Sequence, residues 1–261
     1  MIIDAHCRIG DGREVSLTPA GLLATMDALG IDQALVAPSE RCIAYDNREG
    51  NSATTAAAAA SGGRLLAYAV ANPWRGPAAL DELDRARDAG AVALAVDSVL
   101  QGFDLLDGLL DPLLDFAADS GWFAYVRTGT PANALPLPLA SLARRRPELP
   151  VLMGKSGATD FWIDAIPALL YAPNLYGDTS YAPWDTVLSG FLAEPGIGAE
   201  RLVFSTDSPY TVPLAEVDRI RDWPVDPEQK SAVFGGNLAR LLNSTPTVTD
   251  QGIHQVTPQG G

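Results

Sequence analysis

A chain of 261 residues, 47% apolar and 19% charged, can bury a sizeable core and is typical of a globular enzyme. Its formal net charge of −14 argues against nucleic acids and anionic membranes as partners, because both require a basic face. The chain has two cysteines, Cys7 and Cys42, so we do not expect disulfide bonds to hold the fold together. The chain enters an apolar strand at Ile2 without a basic leader, so we expect a cytoplasmic protein. Whether it forms a homodimer is left open.

Short apolar runs alternate with amphipathic stretches along the chain. Eight runs have the composition of buried parallel strands: Ile2–Ile9, Ala34–Ala37, Leu65–Ala71, Ala91–Val96, Trp122–Val126, Val151–Met153, Leu175–Tyr176 and Arg201–Phe204. The stretches between them predict helices, among them Thr18–Leu29, Asn51–Ala60, Ala78–Ala89, Leu113–Ala118, Ala140–Arg146 and Ala232–Leu242.

This alternation predicts an α/β protein with the architecture of a (β/α)8, or TIM, barrel, in a single domain over residues 1–243. A doubly wound open sheet is the alternative, but no Gly-x-Gly-x-x-Gly pattern follows the first strand. Residues 244–261 are rich in Thr, Pro, Gln and Gly without periodicity, and we predict a flexible C-terminal tail.

Polar residues at the C-terminal ends of the predicted strands indicate the active site, because that end of a barrel carries the catalytic loops. The first strand ends in His6 and Arg8, which at period two share a face, with Ala5 and Cys7 on the other. Arg127 follows the fifth strand, Lys155 the sixth and Asp207 the eighth.

These four strand ends, read as DAHCRIG, RTG, GKSG and STDSP, resemble the amidohydrolase superfamily, in particular its branch of hydrolases and non-oxidative decarboxylases. There the first strand ends Asp-x-His-x-His, the fifth His-Thr-Gly, the sixth Gly-His-x-Gly and the eighth Gly-(Ser or Thr)-Asp-x-Pro. The resemblance spans about Met1 to Asn243 and implies a barrel with a divalent metal at its mouth.

The chain departs from this pattern at the metal ligands. His6 and Asp207 are kept, but Arg8, Arg127 and Lys155 replace imidazoles. A catalytic zinc site needs three protein ligands, and arginine does not deprotonate in proteins. Cations at these positions would also repel a divalent ion by roughly a few kcal/mol each. We therefore predict that the protein uses no metal and no other cofactor.

Fixed positive charge can replace part of the function of a metal, which polarises a carbonyl and stabilises an oxyanion. Arg8, Arg127 and Lys155 are predicted to hold a small carboxylated or phosphorylated substrate. The family also contains a metal-independent lactonase that acts on a dicarboxylate. By analogy we expect hydrolysis of a lactone, ester or amide ahead of decarboxylation, with Asp207 as general base and His6 assisting.

Further residues follow the strands at the same end and could shape the substrate pocket: Tyr45, Asn47, Trp74, Gln101, Tyr181 and Trp184. Two alternatives stay open. One is a metal-dependent hydrolase or decarboxylase with a reduced site of Asp4, His6 and Asp207. The other is a barrel without catalytic activity that serves as a binding protein or scaffold, its cations forming an ion network that fills the mouth.

Overall fold

The computed structural model describes residues 1–182 and 185–243. The described residues form eight strands: β1 Ile3–Ile9, β2 Gln33–Pro38, β3 Leu65–Ala69, β4 Ala91–Val96, β5 Ala124–Arg127, β6 Val151–Gly154, β7 Leu175–Asp178 and β8 Leu202–Val203. Each lies within one of the predicted apolar runs or extends it by a few residues. The predicted flexible tail, residues 244–261, lies outside the described residues.

The strands form one parallel sheet in sequence order from β1 to β8. The sheet closes on itself between the last strand and the first. Ala5 N–H donates to Phe204 O at 2.9 Å, Arg8 N–H donates to Ser208 O at 2.7 Å, and Cys7 forms a parallel bridge with Ser208. The predicted (β/α)8 barrel is confirmed, and an open doubly wound sheet is excluded by this closure.

Helices connect the strands and cover the barrel. They are α1 Pro19–Leu29, α2 Glu40–Ala44, α3 Asn47–Ala60, α4 Pro77–Asp88, α5 Ser98–Gln101, α6 Asp111–Asp119, α7 Pro136–Arg144, α8 Ala158–Phe161, α9 Ala165–Tyr171, α10 Asp185–Ala193, α11 Pro213–Asp222, α12 Pro227–Ser231 and α13 Asn237–Asn243. The helix predicted over Ala232–Leu242 is a π-helical turn, Ala232–Gly236, that leads into α13. No helix in the described part of the chain is both long and apolar enough to cross a membrane.

The core has two layers because each strand is covered on both sides. Side chains that fill the barrel interior form one cluster, which includes Leu35, Tyr68, Phe123, Tyr125 and Leu152. A larger cluster lies between the outer surface of the sheet and the helices. A strand that is buried on both faces needs apolar residues at successive positions. The strands could therefore be predicted from continuous apolar runs and not from an alternation of apolar and polar residues.

Candidate active site at the mouth of the barrel

Strand β1 carries two of the predicted site residues, and its geometry is irregular. The register between β1 and β2 shifts between Asp4 and Cys7, which breaks the alternation of side chains. Cys7 packs into the outer cluster, as expected, whereas Ala5 belongs to the inner cluster together with the rings that surround His6. The expectation that Ala5 and Cys7 share a face is therefore wrong, and the irregularity in β1 is the reason.

Asp207 joins two other predicted residues in a buried chain of polar contacts. Its Oδ1 lies 2.9 Å from His6 Nδ1, and its Oδ2 lies 2.7 Å from Lys155 Nζ. The side chains of His6 and Asp207 are both 1% exposed, and that of Lys155 is 11% exposed. Although burial favours the neutral acid, Lys155 and His6 hold the pKa of Asp207 well below its usual range. Asp207 is therefore ionised at neutral pH.

His6 is held as a neutral imidazole. Burial lowers its pKa, although Asp207 opposes that shift. Because an ionised carboxylate only accepts hydrogen bonds, Nδ1 carries the proton and donates it to Asp207. The imidazole stacks on the Tyr125 ring with centroids 4.1 Å apart and planes at 2°. A Cβ at Gly154 would overlap that tyrosine ring, so glycine on β6 is required for this stacking.

Arg8 pairs with a carboxylate from the fourth strand end. Its Nη2 lies 2.7 Å from Asp97 Oδ2, and both side chains are less than 10% exposed. Although burial favours the neutral acid, Arg8 and Arg127 lower the pKa of Asp97. The backbone N–H groups of Val99 and Leu100 donate to the other oxygen of Asp97 at the start of α5. Arg8 is thus fixed in position and largely neutralised.

A cavity of about 150 Å³ lies at the C-terminal ends of the strands, and we refer to it as the mouth cavity. All three predicted cations, Arg8, Arg127 and Lys155, line it. Arg8 and Lys155 each have a carboxylate partner, but Arg127 has no ion pair with any described residue. Its Nη1 donates to the carbonyl of Thr130 at 2.7 Å. The Arg127 charge is therefore available to an anionic ligand.

Two tyrosines and a glutamate also line this cavity. Lys155 Nζ lies 4.2 Å from the ring centroid of Tyr181, and Arg8 Cζ lies 5.5 Å from that of Tyr210, both within the range of cation–π contacts. The Tyr210 hydroxyl donates to Glu40, which also lines the cavity. These contacts restrict the positions of the two cations that already have carboxylate partners.

Strained backbone concentrates at the same end of the barrel. The non-glycine residues with positive φ in the described part of the chain are Lys155, Ser156, Ala158, Tyr181 and Asp207, with φ between 43° and 62°. They follow β6, β7 and β8. Such conformations cost on the order of 1–3 kcal/mol each and are found mainly at functional sites.

The donor atoms around Asp207 do not fit a divalent metal. Within residues 1–182 and 185–243, no three His, Cys, Asp or Glu side chains are placed to hold a metal ion. Asp4, the third ligand of the reduced metal site, accepts hydrogen bonds from the Thr206 hydroxyl at 2.5 Å and from Cys7 Sγ at 3.2 Å. Burial raises the pKa of Asp4 to about 6. Its oxygens are thus already used, and two remaining ligands are fewer than a catalytic site needs.

The other predicted substrate-binding residues are spread over several places. Tyr181 lines the mouth cavity. Tyr45 and Asn47 line an open groove of about 510 Å³ between α3 and α4, where the Asn47 side chain bonds to backbone groups. Trp74 is 63% exposed and donates to Gly102 O, and buried Gln101 bonds to the backbone of Ala71 and Asp97. Trp184 lies outside the described residues. A substrate-binding role stays a prediction for all of them.

Three polar or charged residues that line the mouth cavity were not selected from the sequence: Glu40, Asp97 and Tyr210. Asp97 follows the apolar run of β4 directly, so the rule that selected Arg127 and Lys155 would also have selected it. Glu40 is the first residue of α2, which follows β2, and Tyr210 lies in the segment after β8; neither carries a comparable signal. Their proximity depends on a contact between residues 170 positions apart.

The amidohydrolase family profile matches residues 3–243. The chain therefore belongs to this family, and the resemblance inferred from the strand ends is confirmed. Membership supports an enzyme of the hydrolase or lyase type. No curated protein matches the chain at a significant level.

Solved structures share the fold at low sequence identity. A 5-carboxyvanillate decarboxylase from Sphingomonas paucimobilis is 18% identical with a TM-score of 0.76, covering 93% of this chain and 98% of that one. A 5-carboxyvanillate decarboxylase from Novosphingobium aromaticivorans, complexed with manganese and 4-hydroxy-3-methoxy-5-nitrobenzoic acid, is 16% identical with a TM-score of 0.74, covering 93% and 96%. A probable 2-pyrone-4,6-dicarboxylic acid hydrolase from Acinetobacter baumannii with citric acid bound is 13% identical with a TM-score of 0.69, covering 93% and 99%. At these identities the likeness establishes the fold alone.

Proposed function

We propose that the protein is a metal-independent enzyme that hydrolyses a lactone, ester or amide of a small carboxylated or phosphorylated compound. The observation that carries this proposal is the mouth cavity, where three cationic side chains surround about 150 Å³ at the catalytic end of the barrel. A cavity of this size suits a small molecule. Its lining carries three cations against the carboxylates of Glu40 and Asp97, and this excess of positive charge in a chain of net charge −14 favours an anionic one.

Arg127 is proposed as the main ligand of the substrate anion. It is the cation of the mouth cavity that has no carboxylate partner among the described residues, and its guanidinium can bind a carboxylate or phosphate through two parallel hydrogen bonds. Arg8 contributes a second donor from a position fixed by Asp97. The bound citric acid of the probable pyrone hydrolase supports a carboxylated ligand for this fold.

Metal independence is supported by the side chains around Asp207. The structure of the Novosphingobium decarboxylase, which has a similar fold, contains manganese. In the present protein Lys155 Nζ lies 2.7 Å from Asp207 Oδ2, and the described residues supply no set of three metal ligands. The lysine ammonium brings one fixed positive charge to the mouth cavity. It can polarise a substrate carbonyl and stabilise the oxyanion that forms there.

Hydrolysis is placed ahead of decarboxylation because of the charge of Asp207. Decarboxylation leaves a carbanion that must receive a proton; an ionised Asp207 cannot supply it, so the proton would have to come from another acid of the site. The carboxylate can accept a proton, and it also fixes Lys155 and His6 at 2.7 Å and 2.9 Å. The role of Asp207 as the base itself stays a prediction.

The test is turnover of carboxylated lactones, with 2-pyrone-4,6-dicarboxylate as the first probe. Asp207→Asn should lower kcat by about 10²- to 10⁴-fold while leaving KM nearly unchanged. Arg127→Gln should raise KM by about 10- to 100-fold, because a hydrogen bond between charged groups is lost. Arg221→Gln, at an exposed arginine of α11, is the matched control and should behave like wild type. The proposal fails if the wild type hydrolyses none of the carboxylated or phosphorylated lactones, esters and amides tested, even if it binds them.

A further inference from the structure

A second, much smaller cavity adjoins the mouth cavity. Its volume is about 10 Å³, which is the space of a single water molecule, and we refer to it as the water cavity. Lys155 and Tyr181 line both cavities, so the two adjoin at these side chains. Asp178, at the end of β7, and Ser180 line the water cavity as well.

Among residues 1–182 and 185–243, two buried polar atoms of this lining have no hydrogen-bond partner. They are Asp178 Oδ2 and Ser180 Oγ, on side chains that are 1% and 0% exposed. The other oxygen of Asp178 accepts from the Ser180 N–H at 2.6 Å. A buried polar atom without a partner is costly, and a polar cavity of this size with such atoms in its wall is suited to hold water.

The surroundings of Asp178 favour the neutral acid. Burial raises the pKa of Asp178 to about 7, and the backbone N–H groups of Ser180 and Lys155 and the nearby Ser180 hydroxyl oppose the shift. The titratable groups around it are Tyr68, Tyr125, Lys155, Tyr181, Asp207 and Glu216. A carboxyl that titrates near neutral pH can take a proton in one step and return it in the next, which a strongly acidic carboxyl does poorly.

We propose that Asp178 and Ser180 bind the water consumed in the reaction and that Asp178 is the base that deprotonates it. This inference rests on the proposed hydrolysis. Asp178 Oδ2 takes one proton from the water as the water oxygen bonds to the substrate carbonyl carbon. The C=O π pair moves to the carbonyl oxygen, and Lys155 stabilises that oxyanion. When the pair returns, the bond to the leaving-group atom breaks and that atom takes the proton from Asp178.

This assignment separates the two carboxylates of the site. Asp207 is bonded to His6 and Lys155 and remains ionised, so it positions the ammonium group. Asp178 Oδ2 has no hydrogen-bond partner in the described part of the chain and belongs to a residue that lines the water cavity. The acid limb of the plot of kcat against pH shows which of the two carboxylates is the base. A base must be ionised to act, so the limb should lie near pH 7 for Asp178 and far below the usual aspartate range for Asp207.

The first experiment needs no substrate. A high-resolution crystal structure should show one water within hydrogen-bond distance of Asp178 Oδ2 and Ser180 Oγ. Infrared spectra should show a protonated carboxyl band that is lost with a midpoint near pH 7 and is absent in Asp178→Asn. Asp4→Asn and Glu216→Gln identify the bands of two other buried acids, whose pKa values are raised to about 6 and about 7. A dry cavity, or no band that depends on Asp178, overturns the proposal.

The second experiment measures turnover of 2-pyrone-4,6-dicarboxylate, or of any lactone that the wild type hydrolyses. Asp178→Asn should lower kcat by about 10²- to 10⁴-fold with KM unchanged. Ser180→Ala should lower it by about fivefold, since one hydrogen bond to the water is lost. Asp222→Asn, on the surface at the end of α11, is the matched control. Wild-type kcat in Asp178→Asn overturns the proposal. An inactive wild type refutes the hydrolysis, and with it the role of Asp178 as its base; the water and the carboxyl band then decide only whether Asp178 and Ser180 form a water site with a neutral acid.

Discussion

Asp178→Asn should change how the stability of the protein depends on pH. The pKa of Asp178 is raised from 3.8 to about 7 in the folded protein, so between these values the native state binds more protons than the unfolded chain. The free energy of unfolding must therefore fall as pH rises through this range. A shift of about three pKa units corresponds to at most about 4 kcal/mol at pH 8. Asparagine does not titrate and removes this contribution.

Urea unfolding of wild type, Asp178→Asn and Asp222→Asn at pH 4.5, 6 and 8 measures the effect, with equal m-values as the condition for comparison. Relative to wild type, Asp178→Asn should gain about 3 kcal/mol of stability from pH 4.5 to pH 8, because about 1 kcal/mol of the full effect is already present at pH 4.5. Asp222→Asn controls for the loss of one negative charge from an acidic protein. A stability difference between Asp178→Asn and wild type that is the same at all three pH values would show that the buried carboxyl is not shifted.

Two further substitutions test the construction of the site. Gly154→Ala places a methyl group where the Tyr125 ring lies. It should lower the free energy of unfolding by about 1–3 kcal/mol and disturb the stacking of Tyr125 on His6. Urea unfolding and the imidazole resonances of His6 measure these two effects, and unchanged values would contradict the packing described. Arg8→Met leaves Asp97 buried without its partner and should destabilise the protein by about 3–5 kcal/mol. The double variant with Asp97→Asn should recover part of that loss, and no recovery would show that the pair is not coupled.

The barrel could be predicted from the sequence because its strands are short, buried on both faces and separated by helices. The positions of His6, Arg8, Arg127, Lys155 and Asp207 followed from the ends of those strands, and the structure brings these residues together at one end of the barrel. The faces to which the side chains of β1 point were less predictable. A register shift has no sequence signal here, so Ala5 was assigned to the wrong face.

The pairing of charges at the mouth could not be predicted from the sequence. Arg8 and Asp97 lie 89 positions apart, and many other partners were available to each. The same holds for Glu40 and Tyr210. Side-chain positions in three dimensions decide which cation has no carboxylate partner among the described residues. They also decide which carboxylate has an oxygen without a hydrogen-bond partner there. Those two facts assign Arg127 and Asp178 their proposed roles.

The central claim is that fixed cations, and not a metal ion, hold and activate the substrate. Elemental analysis combined with turnover of the same preparation, before and after dialysis against a chelator, tests it most directly. The account predicts metal far below one ion per chain and an unchanged rate of lactone hydrolysis after chelation. Stoichiometric manganese or zinc, with activity that is lost on chelation and restored by adding that metal back, would contradict it.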